Sequence, residues 1–325
     1  MRRLRHARLA VLGAALLLAA LWAALAGPSR LPASRSRPAA TYGEALTRFQ
    51  ALAGRDGPET NPECRSRLFT HGDRVGRAVV LLHGFTNCPK QFERLGTLLH
   101  DAGVNVVIPR IVRHGLGDRM TRDLAGLTGR ELIDAADEAV DIARGLGDTV
   151  VVVGLSSTAV AAAALAQTRS DLYRAVILAP ALAPKGVPAP VARRAATLLI
   201  HAPNFFIWWD SEAKESLPGP AQAYPRFPTR ALGEIYRLGS QVLIAAGRER
   251  PAAHSIAVVT TAADRAVNNG PIAALALRWS TSGAVVIEHE FPAPFGVPHD
   301  MIDPEQVDAR VNAVYPVIMS LALDR

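Results

Sequence analysis

Residues 149–158 read Thr-Val-Val-Val-Val-Gly-Leu-Ser-Ser-Thr, and an alanine-rich stretch follows them to Gln167. Four consecutive valines predict a buried β-strand, whereas the alanine-rich stretch is typical of a helix. Between them, Gly154 and Ser156 fit a G-x-S-x-G turn, in which a sharp strand-to-helix bend exposes the serine hydroxyl. Thr158 occupies the second glycine position, where a branched side chain is tolerable if its φ is negative. Ser156 is therefore the predicted nucleophile, and a serine that only caps the helix is the alternative.

The organisation around this turn predicts an α/β fold. Short β-branched runs alternate with longer helical patterns, which favours a mostly parallel sheet flanked by helices on both faces. The predicted strands are 78–82, 105–109, 149–153, 174–178, 255–261 and 284–291, and the predicted helices are 88–102, 128–146, 157–168, 266–279 and 304–321. Between residues 184 and 239 the alternation gives way to a proline-containing stretch without a clear strand. We expect a small cap insertion there.

A second apolar strand opens into His83-Gly84-Phe85-Thr86. A His-Gly loop at this place predicts one half of an oxyanion hole, whose donors are backbone N–H groups. We assign these donors to the N–H of Phe85 and the N–H of Ser157, the residue after the nucleophile. His83 itself is expected to bond within the loop rather than to carry protons.

Two residues complete a candidate catalytic triad with Ser156. Asp264 follows the predicted strand 255–261, and His299 lies between the last predicted strand and the final helix. The chain order serine, aspartate, histidine differs from the orders in chymotrypsin and subtilisin and is the one expected after a strand-turn-helix nucleophile. A helix cap for Asp264 and a surface loop for His299 are the alternatives. Other residues could take these roles: His254, His289, Asp300 and Glu290.

Through His83-Gly84-Phe85-Thr86, Gly154-Leu155-Ser156, Asp264 and His299, the sequence resembles the serine α/β-hydrolases. The resemblance is to their carboxylesterase and monoacylglycerol-lipase branch, and it spans roughly residues 64–321. It implies an α/β-hydrolase domain over residues 64–325 that cleaves small carboxylic esters without a cofactor, through an acyl-enzyme intermediate. A non-catalytic member that binds an apolar ligand is one alternative. An amidase, peptidase or acyltransferase would use the same triad.

The predicted cap segment is rich in aromatic residues, with four of them between positions 205 and 209 out of 18 in the chain. We expect Phe206, Trp208 and Trp209 to line an apolar acyl pocket over Ser156, because such pockets are mostly hydrophobic. Packing of the cap onto the sheet is the alternative. No H-E-x-x-H or paired C-x-x-C motif occurs, so no metal site is predicted.

The charge of the chain is concentrated at its N-terminus. The net charge of +7 comes from seven arginines in the first 40 residues, which contain no acid, whereas the other 29 Lys and Arg are balanced by 29 Asp and Glu. No basic stripe for nucleic acid is therefore predicted. Four arginines precede the uncharged run 9–26. Residues 1–27 are thus predicted to be a cleaved signal peptide or an uncleaved membrane anchor.

Under both interpretations the arginines stay in the cytoplasm and the rest of the chain is exported. The protein would be secreted after cleavage, or would stay attached to the membrane and face the periplasm or the exterior. Residues 28–63 are then a linker and N-terminal extension. Cys64 and Cys88 are the only cysteines, and in an oxidising compartment an even count predicts a disulfide. Two free thiols are the alternative.

Overall fold

The structure, a computed structural model, describes residues 17, 20, 22–217 and 219–324. Most of the predicted signal or anchor, residues 1–27, lies outside these described residues. Within the described part, no helix is both long enough and apolar enough to cross a membrane.

The strands build one main sheet and one small sheet. They are β1 (Arg67–Phe69), β2 (Val75–Leu82), β3 (Asn105–Ile108), β4 (Gly147–Leu155), β5 (Arg174–Leu178), β6 (Phe206–Trp208), β7 (Arg226–Pro228), β8 (Ser255–Thr261) and β9 (Val285–Phe291). The main sheet has the order β1-β3-β2-β4-β5-β8-β9, and β6 pairs with β7 alone. In the main sheet β1 is antiparallel to β3, and every other neighbouring pair is parallel. This arrangement confirms the predicted fold class.

The helices cover the main sheet. They are α1 (Tyr42–Ala53), α2 (Glu93–Asp101), α3 (Gly129–Leu146), α4 (Ser157–Thr168), α5 (Ala189–His201), α6 (Thr229–Ala246), α7 (Asn269–Thr281) and α8 (Val311–Leu323). The four valines of β4 are completely buried, as expected of a central strand that is covered on both faces. α4 carries small alanines, and these are buried as well. Close packing of α4 against the sheet follows from its composition.

Local chemistry explains where the elements begin and end. The hydroxyl of Thr128 accepts a hydrogen bond from the N–H of Glu131, whose carboxylate accepts one from the N–H of Thr128, so α3 starts with a capping box. The last helix begins at Val311 and not at residue 304, because the N–H of Glu305 bonds the Asp303 carboxylate in a turn. The sequence prediction was wrong about that boundary.

The segment 184–239 has more regular structure than its prolines suggested. It contains α5, the β6–β7 pair and the first part of α6, which continues to Ala246. The sequence shows no clear strand there because β6 and β7 are three residues each, too short for a clear alternating pattern. We refer to residues 184–246 as the cap.

Part of the predicted linker is bound to the folded domain. The N–H of Arg35 bonds Asp137 at 2.9 Å, and the N–H of Arg37 bonds Asp141 at 2.6 Å. Arg169, whose side chain is almost completely buried, lies between the same two carboxylates. The two carboxylates neutralise the buried guanidinium of Arg169 and at the same time accept from the backbone of the extended segment, so this cluster holds the segment against α3.

The two cysteines form the predicted disulfide, with an S–S distance of 2.09 Å. Cys64 directly follows the N-terminal extension, and Cys88 directly follows the His83–Asn87 loop. A disulfide is typical of a protein that folds in an oxidising environment.

Candidate active site

Ser156 lies in a strained turn between β4 and α4. Its φ is 59° and its ψ is −109°, a conformation that is costly for a residue other than glycine. The turn is tight, because a Cβ on Gly154 would lie 2.6 Å from the carbonyl oxygen of Thr158. Only glycine fits at position 154, and this explains the first half of the G-x-S-x-G pattern. Such a turn is the one that exposes a nucleophilic serine.

The structure brings Ser156, His299 and Asp264 together in one hydrogen-bonded chain. His299 Nε2 is 2.9 Å from Ser156 Oγ, and His299 Nδ1 is 2.8 Å from Asp264 Oδ2. An ionised carboxylate can only accept, so Nδ1 carries the proton and Nε2 is free to accept from the serine hydroxyl. The three side chains therefore have the geometry and the tautomer of a nucleophile, a general base and an orienting acid.

The carboxyl of Asp264 is buried and remains a good acceptor. Burial alone would raise its pKa, but hydrogen bonding and charge from His299, together with the N–H groups of Val267 and Ala266, outweigh burial and lower the pKa below its ordinary value. The Oδ1 atom accepts both N–H groups, at 2.9 and 2.7 Å. Asp264 thus caps the following turn and bonds His299 at once, whereas α7 is capped by Asn268, so the alternative of a helix cap for Asp264 was wrong.

The other candidate residues have different partners. Asp300 lines the same cavity as His299, but its side chain bonds Gln306. The remaining three have partners elsewhere: His254 stacks on Tyr173, His289 meets Phe291 edge to face, and Glu290 bonds Thr260. Among the described residues, no three His, Cys, Asp or Glu side chains are grouped in a way that could hold a metal ion.

Phe85 and Ser157, the proposed oxyanion donors, line the cavity that contains Ser156 and His299. In the described part of the chain, neither backbone N–H donates a hydrogen bond to another residue. Ser157 is the first residue of α4, whose N-terminal N–H groups have no acceptor within the helix and carry a partial positive charge. Both donors are thus free to bind an anionic oxygen near Ser156.

His83 controls the orientation of the Phe85 N–H. His83 Nε2 accepts from the N–H of Ile111 at 3.1 Å, so Nδ1 bears the proton and donates to the carbonyl oxygen of Gly84, also at 3.1 Å. Burial, followed by the nearby His114, holds the pKa of His83 well below its ordinary value, and the ring is neutral. Since C=O and N–H point in opposite directions across a planar peptide, fixing Gly84 C=O also fixes Phe85 N–H.

An apolar cavity of about 550 Å³ opens above Ser156. This volume is within the range of small-molecule sites. Three residues of α6 line it, Leu232, Ile235 and Tyr236, and they share one helix face because of their spacing. These residues were not predicted from the sequence, although an apolar i, i+3, i+4 stripe is a recognisable signal.

The aromatic residues in and directly after β6 have different positions. Trp209 lines the cavity, as predicted, whereas Trp208 and Phe206 are not among its lining residues. Phe206 packs under the guanidinium of Arg226, 4.5 Å from its ring centre. Alternate residues of a strand point to opposite sides, so neighbours in sequence do not share a surface. The prediction that all three line the pocket was therefore wrong for Phe206 and Trp208.

Comparison with known proteins agrees with this description. Among solved structures, a soluble variant of the monoglyceride lipase from Saccharomyces cerevisiae superposes with a TM-score of 0.60 at 12% identity, over 80% of this chain and 91% of that one. The monoacylglycerol lipase from Paleococcus ferrophilus gives 0.58 at 17% identity, over 80% and 98%. A metagenome-derived lipolytic enzyme gives 0.59 at 16% identity, over 82% and 100%. At these identities the likeness shows the fold.

No curated protein matches the sequence. A profile of the alpha/beta hydrolase family, however, matches residues 79–312, well over half of the chain. These residues include the loop of Phe85, the turn of Ser156, and both Asp264 and His299. The chain therefore belongs to the alpha/beta hydrolase family.

Proposed function

We propose that this protein is a serine hydrolase that cleaves carboxylic esters through an acyl-enzyme intermediate. The observation that carries the proposal is the hydrogen-bonded chain from Ser156 through His299 to Asp264, which opens into an apolar cavity. The monoacylglycerol lipases and lipolytic enzyme named above share the fold, and their names support an ester as the substrate class.

In the first half-reaction, Ser156 Oγ attacks the acyl carbon while its proton moves to His299 Nε2. The carbonyl oxygen becomes an oxyanion, which accepts hydrogen bonds from the N–H groups of Phe85 and Ser157. Collapse of this intermediate breaks the ester C–O bond, and the leaving alkoxide takes the proton from His299. The acyl group is then bonded to Ser156.

In the second half-reaction, His299 removes a proton from water, and the hydroxide attacks the acyl-enzyme. The oxyanion forms again at the same donors, Ser156 leaves with the proton, and a carboxylic acid is released. Asp264 stabilises the imidazolium in both halves, because its lowered pKa keeps it ionised. Each oxyanion donor contributes on the order of 3 kcal/mol to lowering the barrier.

The cavity favours an acyl group that is apolar and short. Leu155, Leu232 and Ile235 supply an aliphatic surface within it. Each buried CH₂ of a substrate gains about 0.8 kcal/mol, so kcat/KM should rise from acetyl to roughly butyryl or hexanoyl esters. It should then fall, because a cavity of about 550 Å³ limits the length of the chain.

The proposal is tested with p-nitrophenyl esters of two to twelve carbons and the purified protein. Turnover that is lost in Ser156→Ala and retained in Ser170→Ala, an exposed serine outside the site, supports it. Binding of the esters without turnover by the wild type would favour the non-catalytic alternative. Turnover of the matching anilides but not of the esters would favour an amidase.

The disulfide supports export from the cytoplasm, and we propose that residues 1–27 direct it. Mass spectrometry of the N-terminus of the mature protein distinguishes a cleaved signal peptide from a retained membrane anchor.

A further inference from the structure

Thr86, which follows the oxyanion residue Phe85, has an unusual backbone conformation. Its φ is 68°, in the left-handed region that branched residues rarely adopt. The N–H of Asn87 donates to the carbonyl oxygen of Gly84 at 3.3 Å, so residues 84–87 form a four-residue turn with Thr86 third. A left-handed residue in that position is usually glycine, which adopts it without strain. Contacts from outside the turn are therefore needed to stabilise Thr86 in this conformation.

The cap makes that contact through two residues. Trp209 Nε1–H donates to Thr86 Oγ1 at 2.9 Å, and the N–H of Tyr224 donates to the carbonyl oxygen of Thr86 at 2.8 Å. The Thr86 hydroxyl in turn donates to the carbonyl oxygen of Phe85 at 2.6 Å. A one-way series of hydrogen bonds thus runs from the Trp209 indole to the oxyanion residue.

The two cap contacts differ in how firmly they are held. Tyr224 is buried, and its hydroxyl is bonded on both sides, to the N–H of Leu116 and the carbonyl oxygen of Arg113. Trp209 is half exposed, packs on Phe227 with ring centres 4.3 Å apart, and lines the cavity. The Trp209 hydrogen bond is therefore the one that changes when the cap moves or when a substrate binds in the cavity.

We infer that Trp209 and Thr86 are positioning residues that couple the seating of the cap to the oxyanion hole. While the indole N–H holds the Thr86 hydroxyl, which bonds the Phe85 carbonyl oxygen, the turn keeps its left-handed residue and Phe85 is held from its C-terminal side. Without it, the turn relaxes toward the commoner form with a right-handed third residue, in which the Phe85–Thr86 peptide is turned over. The Phe85 N–H, which belongs to the preceding peptide, is then held only by the bonds to the Gly84 carbonyl oxygen. Glycine at position 86 would remove the strain but also the hydroxyl that Trp209 bonds. The inference rests on the proposed function.

The test uses Trp209→Phe, which keeps an aromatic wall and removes only the N–H, and Thr86→Val, which keeps the shape and removes the hydroxyl. The matched control is Trp208→Phe, at the neighbouring position in β6 that does not line the cavity. We expect kcat for p-nitrophenyl butyrate to fall about fivefold to tenfold in both variants, with KM within twofold and the melting temperature nearly unchanged. Affinity for a trifluoromethyl ketone, which forms an oxyanion on Ser156, should fall by the same factor.

Coupling between the two residues is measured with double variants. Trp209→Phe should have no further effect in the Thr86→Val background, and little effect in the Thr86→Gly background, where the turn needs no support. A change in KM alone, or independent and multiplicative effects of Trp209→Phe and Thr86→Val, would overturn the inference and leave Trp209 as a pocket wall. If Thr86→Val does not fold, Trp209→Phe still decides the result. A wild type without esterase turnover would instead overturn the proposed function.

Discussion

The Thr158 hydroxyl donates a hydrogen bond to the carbonyl oxygen of Leu82 at 2.7 Å, and this bond joins the first turn of α4 to the end of β2. The same oxygen atom of Thr158 accepts from the N–H of Leu155 at 3.2 Å. Thr158 lies within the helix and is almost completely buried. A branched residue in place of the second glycine is therefore not strained here. Its hydroxyl connects the nucleophile turn with the strand that leads into the oxyanion loop.

Replacement of Thr158 by glycine, which restores the full G-x-S-x-G pattern, is expected to weaken the protein. The variant leaves the buried carbonyl oxygen of Leu82 without its hydroxyl donor, which costs about 1 to 3 kcal/mol, and glycine costs about 0.3 kcal/mol more than threonine in a helix. We expect the free energy of unfolding in urea to fall by about 2 kcal/mol, with no gain in kcat. Thr158→Ser keeps the hydroxyl and should lose less than half as much. A glycine variant as stable as the wild type would contradict this role.

Asp303 predicts a pH dependence of stability. Its buried Oδ2 accepts from Asn87 Nδ2 at 3.0 Å and Gln222 Nε2 at 3.2 Å, joining the oxyanion loop and the cap to the His299 loop. Burial, and then the charge of Asp300, raises the pKa of Asp303 to about 6. The value in the unfolded chain is about 3.9. The folded state thus binds more protons between these values, and Asp303 removes stability as the pH rises through this window.

The matching experiment compares Asp303→Asn with the wild type in urea from pH 4 to pH 7. Whatever the offset at pH 4, the difference in unfolding free energy should move in favour of the variant as the pH rises, by up to about 3 kcal/mol. Taking the difference between the two proteins at each pH cancels the contribution of the other carboxyl groups, which both proteins share. A difference that stays constant across the range, or moves the other way, would show that Asp303 is not the group responsible.

The position of Leu232 predicts control of acyl length. Leu232 is half-buried on α6 and lines the cavity, so a larger side chain fills space that an acyl chain would otherwise occupy. In Leu232→Trp we expect the best p-nitrophenyl ester to become shorter by at least two carbons. Leu277→Trp, at an exposed position on α7, is the matched control and should keep the wild-type profile. An unchanged profile in Leu232→Trp would place the acyl group elsewhere.

The Cys64–Cys88 bond is expected to support stability more than catalysis. It closes a loop with a sequence separation of 24, for which the chain-entropy estimate is about 3 kcal/mol. The double variant Cys64→Ala/Cys88→Ala should therefore melt roughly 5 °C lower than the wild type. Its kcat at 25 °C should stay within a factor of about three. An unchanged melting temperature would contradict the stabilising role of the disulfide.

Sequence patterns predicted the central elements well, because local chemistry determines them. The apolar runs at 174–178 and 255–261 are completely buried strands with the predicted bounds. Ser156 and Asp264 follow buried strands and His299 follows the more exposed edge strand β9. They were recognisable as candidates because the carboxyl ends of parallel strands meet at one edge.

The features that the sequence did not predict depend on contacts between distant residues. Trp209 faces the cavity and Phe206 does not, and that difference follows from the three-residue pairing of β6 with β7. The left-handed Thr86 is likewise held by cap residues more than 100 positions away. No local pattern encodes either of these contacts.

The central claim is that Ser156 is an activated nucleophile, and covalent labelling tests it most directly. The purified protein is treated with a fluorophosphonate, which reacts with serines activated by a base, and the modified peptide is sequenced by mass spectrometry. The account predicts one modification, on Ser156, that is absent in Ser156→Ala and retained in Ser170→Ala. Folded wild-type protein that remains unlabelled, or that is labelled on another residue, would contradict it.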